Sequence, residues 1–297
     1  ENVNSFLERL RAFMKQAVTH ALIADDNVVG VKTIHDPFVQ AGAGENHVGA
    51  FGFDTGDLFA LRERFRLEQE NLPAHFGETQ AAAVHFGAGM IEFDVHESLD
   101  GEFIVIHDTH LGRISSRRDV VCQTQSDVLT AIELNGGHRL LTLPQAFAAI
   151  PETVGVMVEI KAIRSFPKLA DLIQRQAGHR EVLTTSFDLT LLRKLQDCVP
   201  SFRLGVVSKT IAKLPKARKL GLRFEDVCLD FQFLTASRVA NLKREFGRIF
   251  AWTVDRPRDI QKLIDYKVDG IISNRPDEVA RILRAHKATM ESKFPKT

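Results

Sequence analysis

The sequence predicts an α/β protein, a (β/α)8 TIM barrel with an N-terminal helical extension, and three observations lead there. From residue 48 onward, short β-type runs alternate with helix-like segments, the pattern of a parallel sheet built from crossover units. Nine such runs can be counted, but the second and third lie too close for a crossover helix and flank Asp100-Gly101, a strong hairpin turn. Setting that hairpin partner aside leaves eight strands with helical crossovers, and 297 residues suit one large domain.

The elements follow in order. Residues 3–22 open with Asn4 and Ser5 as cap candidates. Val3, Phe6, Leu7, Leu10, Phe13, Met14, Val18 and Ala21 then recur at helical spacing, an amphipathic helix. Residues 23–47 mix a strand-like 28–31 with a loop-like 40–44, so residues 1–47 read as an extension. The β-type runs are 48–53 (VGAFGF), 90–95, 103–107, 154–160, 182–186, 203–207, 226–230, 248–254 and 268–273. Helices are expected over 74–87, 143–150, 168–177, 189–197, 235–246, 257–266 and 276–285. The barrel domain thus spans 48–290, with a basic tail at 291–297.

Composition narrows the function. With 44% hydrophobic and 26% charged residues the chain is an ordinary globular protein, and its apolar runs fall short of the roughly 20 residues of a membrane span. The 39 basic residues against 38 acidic give +1, which argues against a dedicated nucleic-acid binder. Between 206 and 224, Lys209, Lys213, Lys216, Arg218, Lys219 and Arg223 occur with no acid. This reads as a solvated helix face; a protein partner would use this segment or the N-terminal extension. Cys122, Cys198 and Cys228 lie far apart, so neither a disulfide framework nor a zinc site is expected, and a cytoplasmic or other reducing compartment is. The chain starts at Glu1 without Met, which reads as a processed product whose targeting segment has been removed. Gly87-Ala88-Gly89 precedes a strand rather than following one, so dinucleotide binding has no support.

Barrels gather functional groups at the C-terminal ends of their strands. Strand 90–95 carries Glu92 and Asp94, two apart and on one face. Strand 154–160 ends in Glu159, with Lys161 two residues on. Three carboxylates on neighbouring strand ends repel one another unless a cation sits among them, and a hard divalent ion, Mg2+ or Ca2+, would satisfy them. With Asp100-Gly101 as a two-residue turn, paired positions place His107 directly opposite Asp94, Cβ atoms roughly 5 Å apart.

These residues resemble the glycerophosphodiester phosphodiesterase family. The stretch GAGMIEFDVHESLDGEFIVIHDTHLGR is similar to that family's Glu-Leu-Asp-Val, Asp-Gly and His-Asp segment. LLTLPQAF resembles its Thr-Leu-x-Glu stretch, with Gln145 where an acid is usual; MVEIK, TTSFD, AWTVD and VDGIISNRPDEV follow in family order. The resemblance covers about 48–285. It implies a metal held by Glu92, Asp94 and Glu159, His107 as an acid/base residue, Lys161 near the phosphate, and Trp252 against the glycerol or head-group moiety. The implied reaction is metal-dependent hydrolysis of a glycerophosphodiester to glycerol phosphate and an alcohol.

The first family motif departs. A His-Arg-Gly is expected at the end of strand one, but VGAFGFD places Ala50 and Phe51 at the first two positions and keeps only Gly52. Glu70-Asn71-Leu72 marks the following helix entry. His35, His47 and His75 are the candidates to replace the missing histidine. Two further readings remain: a weak or inactive family member that binds a phosphodiester or lipid head group, and a lipid phosphodiesterase related to phospholipase D toxins. The intact Glu-Ile-Lys strand and the expected reducing compartment disfavour the last.

Overall fold

A computed structural model gives the structure of residues 19–23, 83, 86–135, 137 and 139–293. Nine strands form one sheet: β1 (Thr19–Ile23), β2 (Met90–Glu97), β3 (Phe103–Val105), β4 (Gly155–Ala162), β5 (Val182–Ser186), β6 (Leu204–Ser208), β7 (Asp226–Asp230), β8 (Arg248–Trp252) and β9 (Gly270–Ser273). From β2 through β4 to β9 each neighbour pairs in parallel. β1 pairs antiparallel with both β9 and β2, which closes the sheet into an eight-stranded ring, and β3 adds antiparallel to β2 as a hairpin arm. The architecture is the α/β barrel that the alternating pattern predicts.

The helices described are α1 (Ser126–Ala131), α2 (Leu143–Ala149), α3 (Phe166–Ala177), α4 (Leu189–Cys198), α5 (Lys213–Lys219), α6 (Ala236–Leu242), α7 (Pro257–Asp265) and α8 (Pro276–Lys293). Each strand from β4 to β9 leads into one of the last six, as right-handed crossovers require. α2 starts with a capping box in which Thr142 caps the Gln145 N–H and Gln145 Oε1 accepts from the Thr142 N–H at 2.9 Å. An amide does there what the family's usual acid would do.

Strand alternation divides the core in two. Ile91, Phe93 and Val95 of β2 face outward with Val156, Val158 and Ile160 of β4 into the layer beneath the helices. Inside the ring, Met90, Met157, Leu183, Val207, Cys228, Phe250 and Ile272 supply one side chain from each of seven strands. At the N-terminal end of the barrel, Arg248 is 1% exposed and its guanidinium is held by Asp226 and Glu181 at 2.9 and 2.6 Å. A buried arginine ion-paired with two acids on that face leaves the opposite mouth for ligand.

Two expectations are corrected. The helix expected over 3–22 is a strand at its last four positions, because β1 gains ladder partners on both edges that a lone helix would lack; residues 3–18 and the expected strand 48–53 lie outside the described residues, with Ala50, Phe51, His35, His47 and His75. The β2–β3 register is also shifted by one. Val95 pairs with Val105 and Glu97 with Phe103, so the hairpin turns through three residues, Leu99-Asp100-Gly101, with Gly101 at φ 81°. Asp100 fixes this longer turn, accepting from Ser98 Oγ at 2.6 Å and from Ser126 Oγ at 2.7 Å.

Candidate active site at the C-terminal mouth of the barrel

The strand ends surround a cavity of about 460 Å³. β2 contributes Glu92 and Asp94, and β4 contributes Glu159 and Lys161, with Asp94 and Glu159 side by side in the parallel register. Glu92, Asp94 and Glu159 are buried, and each offers an oxygen within 4.8 Å of the others. Burial first, then Glu159, pushes the Glu92 carboxyl well above the ordinary range; burial, Glu92 and Glu159 do the same to Asp94. Lys161 Nζ lies 3.0 Å from Asp94 Oδ1 and bonds Glu159 as well. Burial works to lower the Lys161 pKa, yet the two carboxylates outweigh it and hold the ammonium charged. One ammonium among three acids leaves excess negative charge, so the donor set suits a hard divalent cation.

His107 also lines the cavity, but not opposite Asp94: the shifted register puts Ile106 there, its N–H donating to the Asp94 carbonyl at 3.0 Å. The imidazole reaches the mouth from the segment after β3. Its carbonyl accepts from buried His96 at 2.9 Å, and its Nδ1 meets Asp108 Oδ1 at 2.7 Å. Arg113 Nε donates to the other Asp108 oxygen at 2.6 Å. Burial opposes ionisation of Asp108, but the bonds from Arg113 and His107 hold its carboxyl below the usual value. A carboxylate accepting from Nδ1–H leaves Nε2 as the basic ring nitrogen.

Trp252, at the end of β8, lines the wall and packs edge-on against Phe187 with ring centroids 5.4 Å apart. Its Nε1 and the Thr185 Oγ1 are buried without a hydrogen-bond partner. Thr185 stands beside Glu159 in the β4–β5 register, its methyl packed over Gly205, where a Cβ would come within 3.0 Å of Cγ2. Cys228 forms part of the floor; burial raises its thiol pKa strongly, so it stays neutral.

Sequence reasoning missed Asp108, Arg113, Thr185, Phe187 and Lys209 as lining residues. Asp108 and Arg113 fall inside the stretch GAGMIEFDVHESLDGEFIVIHDTHLGR, and Thr185 and Phe187 inside TTSFD, but the resemblance assigned them no role. Lys209 was hidden in a run of cations read as a solvated face, and the structure splits that run. Lys209 lines the cavity, Lys213 Nζ donates to the Phe187 carbonyl at 2.6 Å, and Arg218 pairs with Glu245 on the outside at 3.0 Å. Among the described residues no helix is long and apolar enough to cross a membrane.

A family model described as the glycerophosphoryl diester phosphodiesterase family matches residues 71–278. A glycerophosphodiester phosphodiesterase of Caldanaerobacter subterraneus is 27% identical over 234 residues, covering 74% of this chain and 96% of its own. One of Bacillus altitudinis is 23% identical, covering 67% and 88%. Among solved structures, an Oleispira antarctica phosphodiesterase in complex with the product sn-glycerol-3-phosphate superposes with TM-score 0.62 at 18% identity over 72% of this chain and 93% of that one. A Thermotoga maritima glycerophosphodiester phosphodiesterase gives TM-score 0.55 at 23% identity over 70% and 90%. At these identities the structural likeness speaks for the fold.

Proposed function

The chain belongs to the glycerophosphoryl diester phosphodiesterase family, and from that premise we propose that it hydrolyses glycerophosphodiesters to glycerol phosphate and an alcohol with one divalent cation, Mg2+ or Ca2+, held by Glu92, Asp94 and Glu159. The observation that carries this reading is the buried trio of carboxylates within 4.8 Å, facing the same cavity as an oriented imidazole. When bound, the cation offsets the negative charge that builds on the phosphoryl oxygens as phosphorus becomes pentacoordinate.

The chain's own groups supply the rest. Lys161, already charged beside Asp94 and Glu159, places an ammonium where a phosphoryl oxygen can share it. His107, held at Nδ1 by Asp108, gives the leaving alkoxide a proton from Nε2 when its ring carries a proton on both nitrogens, and is left as the neutral imidazole with Nδ1–H on Asp108. Trp252 offers its ring face and an unpaired Nε1–H to the glycerol or head-group moiety. The test is hydrolysis of glycerophosphodiesters by pure protein with Mg2+, with Ca2+ and with chelator. Turnover that a chelator abolishes and metal restores supports the reading; metal-independent turnover, or none, overturns it.

A second reading is favoured by one observation, the Ala50-Phe51 pair where the family's His-Arg is expected. A member lacking that histidine and arginine would bind a phosphodiester or lipid head group with little turnover. The same assay separates the two, since such a protein binds metal and diester without appreciable hydrolysis.

A further inference from the structure

Around the cavity the acids are committed, and among the described lining cations Lys209 alone is not. Four carboxylates line it among the described residues. Glu92, Asp94 and Glu159 enclose the cation position together with Lys161. Asp108 is taken by His107 and Arg113. Lys209, two residues past Val207 of the barrel interior, lines the same cavity with no acidic partner among the described residues. Of the aromatic wall, Phe187 is committed as well. The Phe187 ring beside Trp252 has the Lys161 ammonium 5.5 Å and the Lys213 ammonium 5.3 Å from its centroid.

We propose that the cavity selects the alcohol of its diester by charge, taking an anionic head group that Lys209 recognises and disfavouring a quaternary ammonium such as choline. The proposal rests on the phosphodiesterase reading above and adds which diesters are preferred. A quaternary ammonium is recognised by unoccupied aromatic faces or free carboxylates. Here the carboxylates and the Phe187 ring already face lysines or the cation position, and a choline drawn to the remaining Trp252 ring would meet Lys209 in the same cavity as a like charge. The diester's own phosphate is served by Lys161 and the metal carboxylates. Lys209 is therefore left to a second anionic group, a phosphate or carboxylate on the alcohol. A neutral polyol falls between the two.

The experiment compares kcat/KM of the metal-loaded full chain for three diesters: glycerophosphoglycerophosphate, glycerophosphoglycerol and glycerophosphocholine. The expected order is anionic, then neutral, then cationic, with the extremes separated by on the order of tenfold or more for a partly exposed charge contact. Lys209→Gln should bring that ratio towards one by lowering the anionic substrate and, with the like charge gone, raising the choline diester; Lys209→Arg should keep it, and added salt should compress it. Choline diester turned over as well as the anionic one, or a Lys209→Gln loss equal for all three, overturns the proposal; the latter would mean that Lys209 serves the shared phosphate. If none of the three is hydrolysed, the phosphodiesterase reading fails. Calorimetric binding of the same diesters then still reads the charge order, and equal affinities would overturn the selectivity.

Discussion

Lys161 Nζ sits 3.0 Å from Asp94 Oδ1 while also bonding Glu159, so a side-chain ammonium reaches two of the three buried acids. Its single charge does not balance three carboxylates in a pocket that shields them from water. A divalent cation supplies the missing charge and should bind the folded protein only. Titrating Mg2+ or Ca2+ against chelated protein should raise Tm, by roughly 5–10 °C at a hundredfold excess over Kd. Asp94→Asn should remove most of that rise. Calorimetric melting with and without chelator checks both, and an unchanged rise in the variant would refute this ligand set.

The same cluster predicts a pH dependence. Glu92 and Asp94 have carboxyls pushed up by burial first and by their acidic neighbours next. A group whose folded pKa lies above its unfolded value favours the fold in its protonated form. That stability is fully present below the unfolded value of about 4 and is lost as pH rises through the elevated folded value. Metal-free protein should therefore lose stability as pH climbs above the ordinary carboxylate range. The increment from metal should grow over the same interval, since protons and cation compete for the same oxygens. Urea unfolding at several pH values, with metal and with chelator, measures the difference. A metal increment independent of pH would contradict it.

His107 offers a cleaner test of chemistry, because it lines the cavity without joining the carboxylate cluster. His107→Ala should lower kcat by about 10²–10⁴-fold, the usual worth of a positioned acid or base. The metal-dependent rise in Tm should survive. Near-normal turnover in this variant would assign the proton transfer to another group.

Much of this site is legible in the sequence because strand geometry is simple. Glu92 and Asp94 are two apart, as are Glu159 and Lys161, and a period of two puts each pair on one face. β2 was easy for the same reason, being buried along its whole length. What failed needed contacts distant in sequence. An Asp-Gly pair allows a two- or a three-residue turn, and Ser126, 26 residues from Asp100, decides between them. Thr19–Ile23 fits a helical stripe locally, and only pairing with β2 and β9 makes it a strand. Lys209 looks like its cationic neighbours until the barrel turns it towards the cavity.

The turn itself can be tested. Ser98 Oγ, and Ser126 through both its side chain and its N–H, donate to Asp100 and hold its carboxyl at about 2. A depressed folded pKa contributes stability above the unfolded value of about 4, lost as pH falls towards the folded value. Asp100 is exposed, so solvent screening reduces the expected contribution to about 1 kcal/mol. Asp100→Asn should cost about that much near pH 7 in urea unfolding, and the gap should narrow towards pH 2. A gap that stays constant down to pH 2 would show that the charge is irrelevant to the hairpin.

The final prediction concerns the motif missing from the segment 48–53. Ala50 cannot move a proton, and Phe51 puts an apolar ring where the family resemblance implies a cation. Hydrolysis of a diester asks for one group to activate water and another to protonate the leaving oxygen, and His107 can be only one of them at a time. Among the described residues no second histidine lines the cavity; His96 is buried with its Nε2 on the His107 carbonyl. If the chain is the enzyme proposed here, one of His35, His47 and His75 should supply the second group. Replacing that histidine alone with alanine should then match the loss caused by His107→Ala, on the order of 10²–10⁴-fold in kcat. Double replacement with His107→Ala should cost far less than the product of the two losses, since paired acid and base act as a unit. Three single variants with full activity, alongside efficient wild-type turnover, would contradict this assignment. Feeble wild-type turnover that Ala50→His with Phe51→Arg raises would instead identify positions 50 and 51 as the site of the defect and favour the binding protein over the enzyme.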